Sequence, residues 1–436
     1  MFPKRYITEF LQRYAASGTI RAHMPGHKGK CIQPFPENAY AWDITEIDGA
    51  DSLFEADGIL RDSERQTAAI WGSGDCCYSA GGSTLCIQAM LARMQAEGRT
   101  VIAARTVHRA FLNACALLDL DVRWIMPRAG GVICGSYAPA DFGDALEAAR
   151  RRGERTCVYV TSPDYTGQLM DLRALAALCH ACDAPLLVDN AHGAHLAFLP
   201  ENRHPMALGA DYCCDSFHKM LPSLTGAAVL HTRKPGQAAE MKQYMQLFGS
   251  TSPSYLILQS IEQAAVWAAQ GGAACIRQAA EEAQALRRSL PGYRFLGQDP
   301  LHLSMACDGN AMAQALRGRG IECEYADKTC IVLLLSPMTE NAEWQRIGDA
   351  LREIKAEPAA EMPALPPLPE RVCSIREGAL HPWETVPLAK APGRICGPVQ
   401  VPCPPAVPVL VSGERITAEW ASVLAFYGIR ECAVMK

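Results

Sequence analysis

The sequence predicts an α/β fold, in which a large domain is built on a mostly parallel sheet and a smaller α+β domain follows it. Between residues 99 and 231, short apolar runs alternate with helical stretches, an order typical of parallel sheets with helices on both faces. After Pro291 and Gly292 a second pattern of strand, helix and strand begins. With 436 residues and 49% hydrophobic content, the chain is long enough to bury two cores.

The strand candidates of the large domain are short and rich in Val, Ile, Leu and Ala. They are Val101–Ala104, Val122–Met126, Cys157–Thr161, Leu186–Asp189 and Ala227–Leu230. Ligands of such sheets bind outside the carboxyl ends of the strands. We therefore expect the polar residues at these ends, among them Ser162, Asp189 and the run from Ser216 to Lys219, to meet at one rim.

Breaks in these patterns predict the domain boundaries. We expect an N-terminal arm over residues 1–40, a large domain over 41–290 that ends in long helices rich in Ala, Gln and Glu, and a small C-terminal domain over 291–436. The small domain contains the strand candidates Leu301–Met305 and Cys330–Leu335, with a helix near 310–319 between them. The Pro-rich stretch 363–369 is incompatible with a helix and is predicted to be a linker.

Charge and hydropathy exclude several classes of partner. The net charge of -5 and a pI near 6.1 provide no basic field for a polyanion, so we expect no nucleic acid to bind. No apolar run approaches the roughly 18 residues that cross a bilayer, and the segment from Met1 to Tyr6 lacks the apolar core of a secretory signal. We expect a cytoplasmic protein without a membrane partner.

The nineteen cysteines raise the alternative of disulfides or a metal site. Most lie in apolar runs such as Cys76-Cys77 and Cys213-Cys214, where a reduced thiol serves as a small hydrophobic side chain. Cys179 and Cys182 have a CxxC spacing, but they follow a helical pattern and no second ligand pair follows at zinc-site spacing. We predict reduced thiols and no metal.

An aspartate and a lysine thirty residues apart suggest a cofactor site. Asp189 ends one apolar run, and Lys219 closes the polar cluster after another. A lysine amine can hold the aldehyde of pyridoxal 5′-phosphate (PLP) as a Schiff base, while a buried carboxylate keeps the pyridine nitrogen protonated, and Ser216 and His218 would then hold the phosphate. The alternative is that both residues are surface residues at strand ends.

Other residues near the same rim extend this hypothesis. Tyr78-Ser-Ala-Gly-Gly-Ser-Thr84 precedes a helical run, so amides, hydroxyls and a helix N-terminus can face an anion together. Taken in isolation, the segment is better explained by a plain Gly-rich turn with a Ser N-cap. His108 would reach the rim and lie against a cofactor ring, or simply begin a helix. His192 would meet the cofactor or substrate, or make a structural hydrogen bond.

Taken together, these motifs resemble one family over nearly the whole chain. The family comprises the PLP-dependent ornithine, lysine and arginine decarboxylases of fold type I (aspartate aminotransferase-like), in the short form without an N-terminal receiver-like domain. The matching segments are His23–Gly29, Asp43–Glu46 with Asp51–Leu53, Gly81–Thr84, His108, Thr161–Pro163, Asp189–His195, Ser216–Lys219 and Ser412–Thr417.

The resemblance implies a role for each matching residue. Lys219 would be the Schiff-base lysine, Asp189 the partner of the pyridine nitrogen, and His108 the residue stacked on the ring; all three would be catalytic. The resemblance also implies a homodimer or larger assembly, a small-molecule amino acid substrate, and an amine product that suggests polyamine biosynthesis. The cofactor shell would comprise Gly82, Ser83, Thr84, His108, Asp189, His192, Ser216, His218 and Lys219.

The chain departs from the family pattern at several positions. Asn190 stands where the family has Glu, Asp164 stands in a Thr-Ser-Pro-Thr-Tyr-Tyr pattern, and Pro398 replaces a Glu. If Asn190 and Pro398 lie near the substrate, the loss of two acids weakens the hold on a distal cation. Glu46 and Asp51 are the remaining candidates to bind that cation, with helix capping as the alternative for each.

Three functions are compatible with these residues. The first is decarboxylation of arginine, lysine or ornithine, which follows from the resemblance. The second is another PLP reaction, either amino transfer or decarboxylation of a different amino acid. The third is a cofactor-binding pseudoenzyme that regulates a paralogue, against which the retention of Lys219 argues.

Overall fold

The computed structural model describes residues 17–22, 26, 28, 44, 46, 49–399 and 405–436. Most of the predicted arm over 1–40 lies outside the described residues, as do His23, His27 and Asp43 from the family motifs. None of the helices in the described part of the chain is long and apolar enough to cross a membrane.

The described residues form seventeen strands and fourteen α-helices. In chain order the strands are β1 (Ile20–Ala22), β2 (Asp75–Ser79), β3 (Thr100–Ala104), β4 (Val122–Ile125), β5 (Ala129–Gly130), β6 (Gly135–Ser136), β7 (Thr156–Thr161), β8 (Leu186–Asp189), β9 (Tyr212–Ser216), β10 (Ala228–Thr232), β11 (Arg294–Leu296), β12 (His302–Ala306), β13 (Ile321–Cys323), β14 (Tyr325–Ala326), β15 (Cys330–Leu334), β16 (Trp383–Pro387) and β17 (Glu431–Met435). The helices are α1 (Ile59–Trp71), α2 (Gly82–Ala96), α3 (Arg109–Leu118), α4 (Ala140–Arg151), α5 (Leu172–Ala181), α6 (Pro205–Leu208), α7 (Phe217–Met220), α8 (Ala238–Gln246), α9 (Tyr255–Trp267), α10 (Ala273–Ser289), α11 (Gly309–Arg317), α12 (Asn341–Glu353), α13 (Ile375–Leu380) and α14 (Ala418–Phe426).

A seven-stranded sheet in the order β2-β10-β9-β8-β7-β3-β4 forms the centre of the large domain. Strands β4, β3, β7, β8 and β9 run parallel, whereas β10 is antiparallel to both β9 and β2. The predicted mostly parallel α/β sheet is therefore confirmed. Strand β2 was not predicted, because its five residues, DCCYS, are too short and too rich in thiols to show a period.

The central sheet is covered on both faces, which explains why its strands are continuously apolar. One face packs against α1, α2, α3 and α9, and its buried side chains include Trp71, Met90, Phe111 and Phe217. The other face packs against α4 and α5 through side chains such as Phe142 and Leu175. Burial on both sides leaves ligands access only at the strand ends.

The region after residue 290 contains two further cores. The first surrounds the antiparallel sheet β11-β12-β15-β14, with α11 and α12 packed on it, and β1 joins it by pairing in parallel with β13. The second lies in the C-terminal unit, by which we mean the described residues from Arg371 onward. There Trp420 on α14 packs among Leu410, Ile416 and Val434. The predicted strands and helix between 301 and 335 are confirmed by β12, α11 and β15.

Local sequence signals fix several helix ends. Ser374 and Glu377 form a reciprocal capping box at the start of α13, and Glu340 with Glu343 does the same for α12. Helix α1 ends at Gly72, which has a φ of 70°, the left-handed conformation that glycine adopts without strain.

Candidate functional site

The nine residues predicted for the cofactor shell line one cavity. The cavity has a volume of about 320 Å³ and opens at the carboxyl ends of β7, β8 and β9. The predicted residues in its wall are Gly82, Ser83, Thr84, His108, Asp189, His192, Ser216, His218 and Lys219. The rim expected from the strand pattern therefore forms a single concave site.

One end of the cavity is shaped to receive an anion. Helix α2 begins there with Gly82 at a φ of 68°, and no side chain caps its N-terminus. The hydroxyls of Ser83 and Ser216 lie 2.7 Å apart beside it. Ser83 is thus not the N-cap of a plain turn, and the first-turn amides, the helix dipole and two hydroxyls face the same space.

Lys219 lines the same cavity from the short helix α7, directly after β9. Its Nζ is 2.9 Å from Nε2 of His192, so the amine is held in hydrogen-bond contact with an imidazole. The amine is partly buried and belongs to the cavity wall, where it is available to a carbonyl carbon.

Asp189 ends β8 and is 2% exposed. Its Oδ1 accepts a hydrogen bond from the amide of Ala191 at 3.1 Å, and its Oδ2 accepts a weaker one from the hydroxyl of Tyr159 at 3.4 Å. Burial raises the pKa of Asp189, and the charge of Lys219 partly opposes this rise. Among the described residues no arginine or lysine forms an ion pair with Asp189. The protonated nitrogen of an aromatic ring would provide the missing counter-charge.

His108 is both a helix cap and a part of the cavity wall. Its Nδ1 accepts a hydrogen bond from the amide of Ala110 at 3.1 Å and so caps α3. Burial, followed by the charges of Lys219 and Arg109, lowers the pKa of His108 to about 3. The ring is therefore neutral at physiological pH and places no positive charge beside Lys219.

His192 makes side-chain contacts on both of its nitrogens. Besides Lys219, it contacts His302, with Nδ1 of His192 3.1 Å from Nε2 of His302. The ring of Tyr165 stands edge-on to it at 5.0 Å. Burial, Lys219 and His302 hold the pKa of His192 well below its ordinary value. The expected alternative of a backbone hydrogen bond does not describe this residue.

The cavity wall also contains polar residues that were not predicted from the sequence, among them Tyr165 and Glu324. Glu324 is 7% exposed, and its Oε1 accepts a hydrogen bond from the hydroxyl of Tyr165 at 2.5 Å. Glu324 lies between β13 and β14 and therefore comes from the region after residue 290. The available signal was an acid within a short apolar segment, Ile321–Tyr325.

The two acids predicted to bind a substrate cation do not line this cavity. The Asp51 carboxylate accepts hydrogen bonds from the amides of Ser52, Gly58 and Leu60 at 2.9 to 3.0 Å and so caps the start of α1. Burial opposes ionisation of Asp51, but the backbone hydrogen bonds still hold its pKa below the ordinary value. Glu46 is exposed and acts electrostatically on Tyr255. The helix-capping alternative is correct for Asp51.

The departures at Asn190 and Pro398 also lie outside the cavity, so neither residue lines the wall that contains Lys219. Asn190 is fully buried, and its Nδ2 donates to Oδ1 of Asp215 at 2.7 Å. Asp215 in turn lies 2.9 Å from Nε2 of His204. Pro398 lines a separate small cavity beside Cys396 in the C-terminal unit.

Asp164 is buried in a turn next to the site. Its Oδ1 accepts hydrogen bonds from the amide and hydroxyl of Thr166, both at 2.8 Å, and from the amide of Gln168 at 3.0 Å. Burial raises the pKa of Asp164 to about 6, against these hydrogen bonds. Asp164 shapes the loop that carries Tyr165.

Comparison with known proteins gives consistent matches. A family model described as Orn/Lys/Arg decarboxylase, major domain, matches residues 6–298, and one described as Orn/Lys/Arg decarboxylase, C-terminal domain, matches residues 374–433. An arginine decarboxylase of Bacillus subtilis is 28% identical over 94% of this chain and 90% of that protein. One of Bacillus anthracis is 26% identical with the same coverage.

Solved structures share the fold. The constitutive lysine decarboxylase of E. coli aligns with a TM-score of 0.74 at 16% identity, covering 99% of this chain and 82% of that chain. The lysine decarboxylase of Francisella novicida aligns with the same score at 17% identity, covering 88% and 73%. A serine palmitoyltransferase of Sphingomonas wittichii aligns with a TM-score of 0.56 at 15% identity, covering 70% and 78%.

Proposed function

Because this chain belongs to the Orn/Lys/Arg decarboxylase family, we propose that it decarboxylates a basic amino acid, arginine, lysine or ornithine, to the amine and carbon dioxide. Its fold is fold type I, and its cofactor is PLP. When bound, the cofactor supplies an electron sink for the pair released as the carboxylate leaves. The observation that carries the proposal is the single cavity in which Lys219, Asp189 and an anion-binding helix start converge.

The cavity residues divide into those that hold the cofactor and those that tune it. We assign the Schiff-base linkage to Lys219, the ring nitrogen to Asp189, and the ring face to His108, with His192 beside them. The phosphate would lie against the start of α2 and the end of β9, on the residues Gly82, Ser83, Thr84, Ser216 and His218.

Asp189 would hold a proton on the ring nitrogen. A buried carboxylate without a cation partner is costly, and a cationic N–H placed against it recovers part of that cost. This mutual stabilisation raises the proton affinity of the nitrogen. His108, neutral in this setting, would contact the ring without competing for that proton.

Glu324 takes the place of Asp51 and Glu46 as the proposed partner of the substrate's distal cation. A carboxylate in a largely desolvated wall makes strong charge-assisted hydrogen bonds to guanidinium or ammonium groups, and Tyr165 orients it. We expect Glu324→Gln to raise KM for a basic amino acid about ten- to a hundredfold, since one such bond contributes roughly 1.5 to 3 kcal/mol.

The matched control for Glu324 is Glu322→Gln. Glu322 lies two residues away, points elsewhere, and pairs with Arg317 at 2.9 Å on the surface. An equal effect of the two substitutions on KM would remove Glu324 from the substrate site.

The assembly is proposed to be a homodimer or a larger oligomer. The exposed surface carries large apolar side chains, including Leu117, Leu247 and Leu380, which a partner copy would cover. An amine product would place the enzyme in polyamine biosynthesis.

Two measurements test the central proposal. The purified protein loaded with PLP should absorb between about 400 and 430 nm, and borohydride reduction should fix the cofactor mass on the peptide that contains Lys219. Incubation with the twenty amino acids and ornithine should release carbon dioxide and an amine from a basic one. Label on another lysine refutes the assignment of Lys219, and a keto acid product indicates amino transfer instead.

A further inference from the structure

Behind Lys219 a line of buried polar side chains runs into the region after residue 290. His192 contacts Lys219 at 2.9 Å and His302 at 3.1 Å, and Nδ1 of His302 lies 3.0 Å from Oδ2 of Asp299. His302 and Asp299 are fully buried, and His192 is 5% exposed. His302 begins β12, so the line joins the large domain to the smaller antiparallel sheet.

We propose that His302 is a positioning residue for Lys219. His302 fixes the tautomer of His192, so that Nε2 of His192 accepts a hydrogen bond from the lysine amine. The inference deepens the function proposed above, in which Lys219 carries the cofactor. No local sequence pattern predicts this contact, because His302 is 110 residues from His192.

The donor and acceptor roles along this line of side chains follow from Asp299, the residue farthest from Lys219. Asp299 is held as a carboxylate: burial opposes its ionisation, but His195 and His302 keep its pKa far below the ordinary range. A carboxylate only accepts hydrogen bonds, so Nδ1 of His302 faces it with its N–H. The contact between Nδ1 of His302 and Oδ2 of Asp299 is electrostatic, because it lacks the geometry of a full hydrogen bond.

In the proposed arrangement His302 is neutral and carries its single N–H on Nδ1, which leaves Nε2 as an acceptor. His192 must then donate from Nδ1 and accept on Nε2, which is the atom that faces Lys219. If His302 could not accept, His192 would be free to place its proton on Nε2 and the amine would lose its acceptor.

Charged and titratable side chains of the described residues face the imidazoles of both His192 and His302. The groups that act electrostatically on or contact His192 are Lys219, His302, Asp299, His108 and the ring of Tyr165. The groups facing His302 are Asp299, His192 and Asp164, together with Arg287, which donates to the backbone oxygens of Asp299 and His302.

The chain offers a matched control on the other branch of Asp299. Nε2 of His195 lies 2.9 Å from Oδ1 of Asp299, and His195 is as buried as His302. Its Nδ1 has no hydrogen-bond partner among the described residues, so no hydrogen bond joins this atom to His192. Substitution of His195 therefore disturbs the same carboxylate and the same core, but it leaves the contacts of His302 with His192 and of His192 with Lys219 in place.

The test measures the reactivity of the Lys219 amine in the protein freed of PLP. Trace acetic anhydride at pH 8 labels free amines, and mass spectrometry compares the Lys219 peptide with that of the exposed Lys234. In His302→Phe the ammonium loses its acceptor, so relative acylation should rise about tenfold, as expected for one lost hydrogen bond to a charged group. His302→Gln, whose amide oxygen can accept, should stay within about twofold of wild type.

The controls separate positioning from mere packing. His195→Phe should leave the relative acylation of Lys219 unchanged. An unchanged rate in His302→Phe, or an equal rise in His195→Phe, overturns the inference. If His302→Phe does not fold, His302→Asn replaces it, because its shorter amide does not reach His192 while the Gln variant does. Borohydride labelling of wild type at Lys219 is scored separately, so failure of the proposed function does not obscure this result.

Discussion

A buried ion pair connects the large domain to the C-terminal unit, and removing one partner should destabilise the protein strongly. Nη1 and Nη2 of Arg105 each lie 2.7 Å from a carboxylate oxygen of Glu414. The two residues are 1% and 3% exposed. Glu414 also accepts a hydrogen bond from the amide of Val411 at 2.8 Å, which fixes the segment leading back to Val407 in the cavity wall.

Glu414→Gln leaves the Arg105 charge buried without its counter-charge. Loss of one partner of such a pair costs about 3 to 5 kcal/mol. Two contacts of Arg105 remain, a hydrogen bond to the oxygen of Val409 at 3.3 Å and the face of Trp124 at 5.0 Å. We therefore expect a loss near the lower limit, about 3 kcal/mol, which corresponds to a decrease of about 1 M in the urea midpoint for a large m value.

Urea unfolding followed by tryptophan fluorescence measures this change, with Trp124 and Trp420 on the two sides of the contact. The matched control is Asp121→Asn, which breaks the exposed contact of Arg371 with Asp121 between the same two units and should cost less than about 1 kcal/mol. The double variant Arg105→Met with Glu414→Leu should recover much of the loss. Equal shifts for Glu414→Gln and Asp121→Asn would refute this reasoning.

Three further predictions concern the site and the assembly. Asp189→Asn should keep the fold and lower turnover at least a hundredfold, given about 3 to 5 kcal/mol for a buried charge partner; kinetics at matched PLP content check this, and a loss under tenfold contradicts it. Burial raises the pKa of Asp164 to about 6, above the unfolded value, so wild type should lose stability as pH rises from about 4 to 6, by up to about 3 kcal/mol. Asp164→Asn should lack this dependence in urea titrations at pH 4.5 and 8. Sedimentation at assay concentration should show that the active protein is a dimer. A fully active monomer at that concentration would contradict this prediction.

The sequence predicted the rim of the site well, because the rim follows from chain order. In a parallel sheet the residues after each strand meet at one edge, so Asp189, Ser216 and Lys219 were expected together before any contact was known. The strand assignment alone is enough to predict that these residues lie close together. The partners that come from the region after residue 290, Glu324 and His302, were not predictable in this way, since no local pattern encodes which loop of a second core faces the rim.

The position of Asn190 outside the cavity also has a physical cause. Neighbouring residues at a strand end point to opposite faces of the sheet. Asp189 and Ser216 face the cavity, so Asn190 and Asp215, one residue away on each strand, face the opposite side and bond to each other. This alternation was available in the sequence. The departure at Asn190 therefore changes the hydrogen bonds behind the strand ends and not the cavity wall. Under the proposed function, substrate selectivity depends on residues such as Glu324, which share the cavity with Lys219 although they are distant in sequence.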